Sequence, residues 1–199
     1  MDEPTSSTNQ STYHRMPREL TVATGEVLRP FGPADIDQLV AVVNDNLDRL
    51  RPWMPWAQQP VTVESQGEFL TASTRNWEDG TDFVYGIFAG DTILGGTGLH
   101  TRRGPGVLEI GYWLAAAAEG RGLVTAVTRV LCEVAASYDE VDEVAICCDE
   151  ANHRSAAVPR RLGFRLAGVE EVEPKAAGET GWHQIWTMPT AAIRAGWPG

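Results

Sequence analysis

Cations, cysteines and long apolar runs are all scarce in this chain, and each shortage removes a class of function. Lysine and arginine together number 16 against 27 acidic residues, a formal charge of −11. Nucleic acid and anionic membrane both demand clustered cations to displace counterions, so neither is expected as the main partner. The surplus of negative charge leans toward a cationic substrate. Cys132, Cys147 and Cys148 are too few and too odd in number for a disulfide framework, and they read as buried reduced thiols. The last two adjoin in a strand-like run, which sends their side chains to opposite faces. No stretch approaches a transmembrane span, and Met1 to Gln10 lack the basic start and apolar core of a signal peptide. A cytoplasmic protein is expected. None of the 4 histidines stands at metal-ligand spacing from another or from a cysteine, so no metal is expected, and His153 beside Arg154 reads as a surface residue.

What is present suffices for one core. At 199 residues and 43% hydrophobic content the chain predicts a single domain over residues 21–190, with a mobile N-terminal tail over 1–20, rich in Ser, Thr and Pro, and a short tail over 191–199. Strands and helices alternate along it. Glu26 to Pro30 reads as a short strand; Pro33 to about Leu50 reads as one helix, with Ile36, Leu39, Val40, Val43 and Leu47 at spacings of three and four. Two prolines around Trp53 and Trp56 break it. A second helix is expected from Val63 to Trp77, then a hairpin of Phe83 to Ala89 and Thr92 to His100 turned at Gly90-Asp91. After a strand from Val107 to Leu114 come a helix reaching Tyr138, a buried strand from Val141 to Cys148, a short helix from Asn152 to Leu162 capped by Gly163, and two last strands. If the helix before Tyr138 is a right-handed crossover, the strands on either side of it are parallel.

Two places carry chemistry. The turn Glu119-Gly120-Arg121-Gly122-Leu123-Val124-Thr125 joins a strand to a helix. Its two glycines let several N–H groups converge on one anion at the helix start, where the dipole adds favourable charge, and Arg121 could add a cation. An ordinary strand-to-helix connection is the competing reading. The turn lacks the third glycine of a dinucleotide fingerprint, and no Gly-Lys-Ser/Thr follows a four-residue gap. The second place is the strand before it, where Leu108, Ile110, Tyr112 and Leu114 share one face and Glu109, Gly111 and Trp113 the other. Glu109 is a carboxylate in an apolar run, either a functional acid or an edge-strand residue facing water. Gly111 could mark a bulge that leaves ladder groups unpaired.

Glu109-Ile110-Gly111-Tyr112-Trp113-Leu114, the Glu119-Gly120-Arg121-Gly122 turn, Asn152-His153-Arg154-Ser155 and Arg161-Leu162-Gly163-Phe164, in that order, together resemble the GNAT acyltransferases. Leu50-Arg51-Pro52-Trp53-Met54-Pro55-Trp56 narrows the resemblance to the RimJ/RimL-like branch, and it spans roughly Glu26 to Met188. The resemblance implies an α/β fold with a mixed, mostly antiparallel sheet of about seven strands, splayed after the Glu109 strand and flanked by about four helices. It implies acetyl-CoA or another acyl-CoA as co-substrate, held at Tyr112, Trp113, Leu114, the run Glu119 to Thr125, Asn152 and Ser155. The family's Gln/Arg-x-x-Gly-x-Gly/Ala turn maps to Glu119, Gly122 and Val124. Glu119 and Val124 depart from it, which backbone donors can tolerate; the Glu119 side chain is expected to turn to solvent.

The chemistry so implied is attack of an amine on a thioester. Glu109 is the candidate to take the ammonium proton, directly or through water, with Glu64 and Glu68 as rival bases; backbone N–H groups around Tyr112 and Trp113 would bind the acyl oxygen, and Ser155 would protonate the thiolate. Asn152 would anchor pantetheine or a water, or simply cap a helix. Trp53, Trp56 and Trp77 would line the acceptor site or pack in the core. The branch favours a protein N-terminal α-amine, with small-molecule amines as the other acceptor class, and dimers are common in the family. A catalytically silent acyl-CoA-binding module is the alternative function.

Overall fold

The computed structural model describes Tyr13 and residues 16–197. Eight strands form one sheet: β1 (Leu20–Thr21), β2 (Val27–Arg29), β3 (Asp82–Ala89), β4 (Thr92–His100), β5 (Val107–Leu114), β6 (Glu143–Asp149), β7 (Arg165–Glu171) and β8 (Trp182–Pro189), in the order β1-β2-β3-β4-β5-β6-β8-β7. Only the β5/β6 pair is parallel; every other pairing is antiparallel. Six α-helices flank it: α1 (Ile36–Asp45), α2 (Leu47–Leu50), α3 (Val63–Glu78), α4 (Leu123–Ala136), α5 (His153–Arg161) and α6 (Thr190–Arg194). The parallel pair follows from the α4 crossover, as expected for a strand, helix and strand wound in one sheet.

Period-two alternation assigns the two faces. Leu108 and Ile110 of β5 are fully buried with Phe83, Tyr85 and Leu99 and with Val127 and Leu131 of α4, forming the larger core. α4 is rich in Val and Thr, poor helix formers, so this packing holds it. On the opposite face Phe88 and Ile93 pack with Leu39 and Val43 of α1 and Leu70 of α3. Glu109, Gly111 and Trp113 belong to that second face.

Several expectations are revised. The helix read as one from Pro33 to Leu50 begins as a 3-10 turn (Pro33–Asp35) and breaks at Asn46. The Asn46 amide donates to the Val42 carbonyl at 2.8 Å and its oxygen accepts the Ala116 N–H at 2.7 Å, so a tertiary hydrogen bond overrides the periodicity. Two more helices and one more strand than expected are present because α2, α6 and β1 are too short to show a period. Most of the 1–20 tail lies outside the described residues, but Met16 is 4% exposed and the Tyr85 hydroxyl donates to the Pro17 carbonyl at 2.7 Å. The C-terminal stretch is also fastened: Ile193 is buried and Arg194 donates to the Ala136 and Tyr138 carbonyls, each at 2.8 Å. No bulge sits at Gly111, since β4 and β5 pair in continuous register from Gly95↔Leu114 to His100↔Glu109.

The unpaired backbone arises on the other side of β5. Its parallel pairing with β6 covers Val107↔Glu143, Leu108↔Val144 and Glu109↔Ala145 and then stops. β6 pairs with β8 along its whole length, from Glu143↔Pro189 to Asp149↔His183, so beyond the Glu109 rung its β5 side has no strand partner and the two central strands part.

Candidate active site

A cavity of about 960 Å³ occupies the gap between β5 and β6. It is lined from both faces of the sheet, by Ile110, Tyr112, Cys148 and Ser155 on the α4 side and by His100, Glu109, Gly111 and Trp113 on the α1–α3 side. A ligand on one face can therefore reach a ligand on the other through the middle of the sheet.

On the α4 side, Gly122 caps α4 with φ 76° and Gly120 has φ 77°, the left-handed region that glycine adopts without strain. No side chain caps α4, which leaves its first N–H groups without a capping partner, an arrangement suited to an anion. Glu119 does not simply turn to solvent: it pairs with Arg49 and, at 3.2 Å, with Arg154. Its charge is thereby shared with two guanidiniums beside the turn. Asn46 and Arg49 tie the helix break to this turn through Ala116 and Glu119.

Asn152 caps α5, its oxygen accepting the Ser155 N–H at 3.1 Å. Pro159 lies inside α5 and has no N–H to give the Ser155 carbonyl four residues back. The Tyr112 hydroxyl fills that vacancy at 3.0 Å, and the Ser155 hydroxyl donates to Tyr112 in turn at 3.2 Å. Burial pushes the Tyr112 phenol up, against the Ser155 hydrogen bond, so it stays protonated. Tyr112 had been expected to contribute backbone only; its side chain joins Ser155 as a donor pair. Burial likewise raises the neighbouring Cys148 thiol.

On the opposite face the side chains make an ion pair and a hydrogen-bonded His–Asp pair. The Arg102 Nε donates to Glu109 Oε1 at 3.1 Å and Arg102 Nη2 reaches the same oxygen. Glu109 is 6% exposed, so its partner is needed to hold a buried charge. The second pair is His100 with Asp82, Nδ1 to Oδ1 at 2.6 Å. His100 was not singled out in the sequence because nothing near it in the chain marks it. Burial beside Glu109 pushes the Cys147 thiol up to about 12.

The three tryptophans separate. Trp53 and Trp56 line the cavity, and Trp56, 48% exposed, meets Trp113 edge to face with ring centroids 5.9 Å apart. Trp77 packs in the core against Phe83 and Tyr85 and is not among the cavity residues. Glu64 and Glu68 are exposed on α3, while Ser65, Gln66 and Phe69 of that helix face the cavity. Leu114 and the turn Glu119 to Thr125 lie outside the cavity proper. No cluster of His, Cys, Asp or Glu able to hold a metal occurs among the described residues.

Parted central strands, a glycine-turned helix start and a cavity open to both faces set this fold apart from a plain sheet flanked by helices. The sequence profile of the acetyltransferase (GNAT) domain matches residues 27–165, and the chain belongs to that family. It is 32% identical over 147 residues to the Bacillus subtilis (strain 168) protein named "Putative ribosomal N-acetyltransferase YdaF", covering 71% of this chain and 78% of that one. Among solved structures it is similar to the microcin C7 self-immunity acetyltransferase MccE in complex with acetyl-CoA and AMP, with a TM-score of 0.80 at 21% identity, over 87% of this chain and 97% of that one. It is also similar to RimL, a ribosomal L7/L12 α-N-protein acetyltransferase in complex with coenzyme A, with a TM-score of 0.78 at 21% identity, over 86% and 97% of the two chains. The protein is a GNAT-type acetyltransferase with the expected α/β fold.

Proposed function

We propose that the protein transfers the acetyl group of acetyl-CoA to a primary amine by direct attack while both substrates are bound. The observation that carries this reading is the cavity crossing the sheet where β5 and β6 part, since it runs from the unpaired edge of β5 to a side-chain-lined pocket on the α1–α3 side. The pyrophosphate would rest on the turn from Glu119 to Thr125, and the pantetheine arm would add the missing rung to β5 along Tyr112, Trp113 and Leu114. Free β5 N–H groups would hold the acyl oxygen, and the Ser155–Tyr112 pair would protonate the departing thiolate. Glu109, fixed by Arg102, would attract the acceptor ammonium, with Trp53 and Trp56 along its path.

Substrate basicity favours an α-amine. A peptide N-terminus, with pKa about 7.7–8.0, is partly neutral near pH 7, whereas a lysine near 10.4 needs over three pH units of help. RimL, an α-N-protein acetyltransferase, is consistent with that class, and small amines form the second. The unpaired thiols Cys132, Cys147 and Cys148 fit a reducing cytoplasm.

The test is incubation with acetyl-CoA and a panel of peptides, polyamines and aminoglycosides, following thiol release and product mass. Acceptor-dependent thiol release is expected, strongest with a peptide. Binding of acetyl-CoA without thiol release across the panel would leave only an acyl-CoA-binding module.

A further inference from the structure

We propose that His100, oriented by Asp82, is the catalytic base that takes the proton from the acceptor ammonium. The inference rests on the acetyl-transfer reading and adds a residue to it. His100 and Glu109 are register partners on β4 and β5, so their side chains stand side by side on the acceptor face. Glu109 Oε1 already accepts two N–H groups of Arg102, so that oxygen is engaged by a fixed guanidinium. The imidazole has no such engagement on its inner edge. Its Nδ1 is fixed by Asp82, which leaves Nε2 as the exchangeable position, the arrangement that sets an imidazole's tautomer.

The ring also lies in the right place. A Cβ at Gly98 would come within 3.1 Å of His100 Nε2, and one at Gly111 within 3.3 Å. These glycines pair across β4 and β5, so together they form a floor on which the imidazole rests. Gly111 is two residues past Glu109, where the β6 partner is lost. Nε2 thus stands over β4 and β5 on the cavity wall, on the face from which an amine from the α1–α3 side would approach a thioester lying against β5. The charged and titratable groups around the ring are Asp82 from β3, Glu109 from β5 and Arg102 from the β4–β5 turn, with Cys147 of β6 beyond Glu109.

The step balances without another reagent. One N–H proton of the ammonium moves to Nε2 and later to solvent through the cavity mouth, and the freed nitrogen lone pair forms the C–N bond. As the C–S bond breaks, the nitrogen passes a second proton to the emptied Nε2 and so to solvent, while the thiolate gains a proton from the Ser155–Tyr112 pair, which solvent then restores. One proton is released per acetyl group moved.

His100→Asn tests this, because its amide nitrogen can keep the Nδ1 contact with Asp82 while Nε2 is lost. Turnover should fall by about 100-fold, the usual worth of a base, with acetyl-CoA affinity unchanged. Imidazole added to His100→Ala should restore part of the rate. Asp82→Asn should lower kcat while leaving acetyl-CoA affinity unchanged, since the carboxylate that orients the ring through Nδ1 is lost. A wild-type rate or profile in His100→Asn, or a loss that imidazole does not rescue, overturns the assignment. A wild-type enzyme that acetylates nothing would sink the acetyl-transfer reading instead. In that case ¹⁵N spectra still decide on His100: Nδ1–H with a bare Nε2 at pH 8 in the acetyl-CoA complex is expected, and the opposite tautomer refutes it.

Discussion

On the α4 side of the sheet the candidate site is mostly backbone, with two left-handed glycines, an uncapped helix start and the unpaired edge of β5, and its side chains are the Ser155–Tyr112 hydroxyl pair. On the α1–α3 side it is made of side chains: Glu109 held by Arg102, His100 held by Asp82, and Trp53 and Trp56 along the cavity. The difference suits two kinds of substrate. On the proposed reading a constant cofactor would meet main-chain donors that are indifferent to side-chain identity, so Glu119 and Val124 could depart from the family's turn. The variable acceptor would meet groups that mutation can change one at a time.

The comparison breaks first at the donor pair. Replacing Ser155 with Ala and Tyr112 with Phe together should lower turnover by about 10²–10³-fold with little change in acetyl-CoA affinity, as steady-state and binding measurements would show. An unimpaired double variant would remove proton donation from the α4 side. Next comes the claim that this side works through backbone. Gly122→Ala forces an L residue into a left-handed conformation at about 1–2 kcal/mol, so calorimetry should find acetyl-CoA bound roughly ten-fold more weakly. Arg121→Ala and Glu119→Gln should cost only about two- to three-fold, in keeping with exposed ion pairs. Equal losses in all three variants would mean that side chains hold the phosphates after all. The smallest effect concerns Cys147. With its thiol pushed up to about 12 it stays protonated at pH 8, so iodoacetamide should modify it far more slowly than a free thiol, as peptide mass mapping would reveal. Rapid labelling at that pH would show that the acceptor face is wetter and more positive than its side-chain pairs imply.

The same division explains what could be read in the chain itself. β5, α4 and the turn between them are contiguous, so period-two alternation, helical spacing and paired glycines announce them locally. The acceptor face has no such continuity. His100 and Asp82 are 18 residues apart and meet only because β3 and β4 pair in one register, and Arg102 reaches Glu109 across a turn. Asn46 looks like any helical polar residue until Ala116 arrives to claim it. Trp77 carries the same local signal as Trp53 and Trp56, yet the hairpin closes over it, and only the packing of Phe83 and Tyr85 separates core from pocket. Met16 illustrates the limit of composition: a Ser/Thr-rich neighbourhood reads as loose, but one apolar residue and the Pro17 carbonyl suffice to fasten the chain to β3.

The parted strands also make the protein a gauge of its own occupancy. Interior sheet amides normally exchange with solvent only on global unfolding, but those on the β6 side of Ile110 to Leu114 lack a rung and should exchange early, at the centre of the molecule rather than at its edges. A bound acyl donor that completes the ladder would slow them, while the β4-paired side of the same strand stays protected throughout. Deuterium uptake at one segment of β5 would thus report donor binding before any acceptor is known, and would order candidate acyl donors by how fully each restores the missing strand.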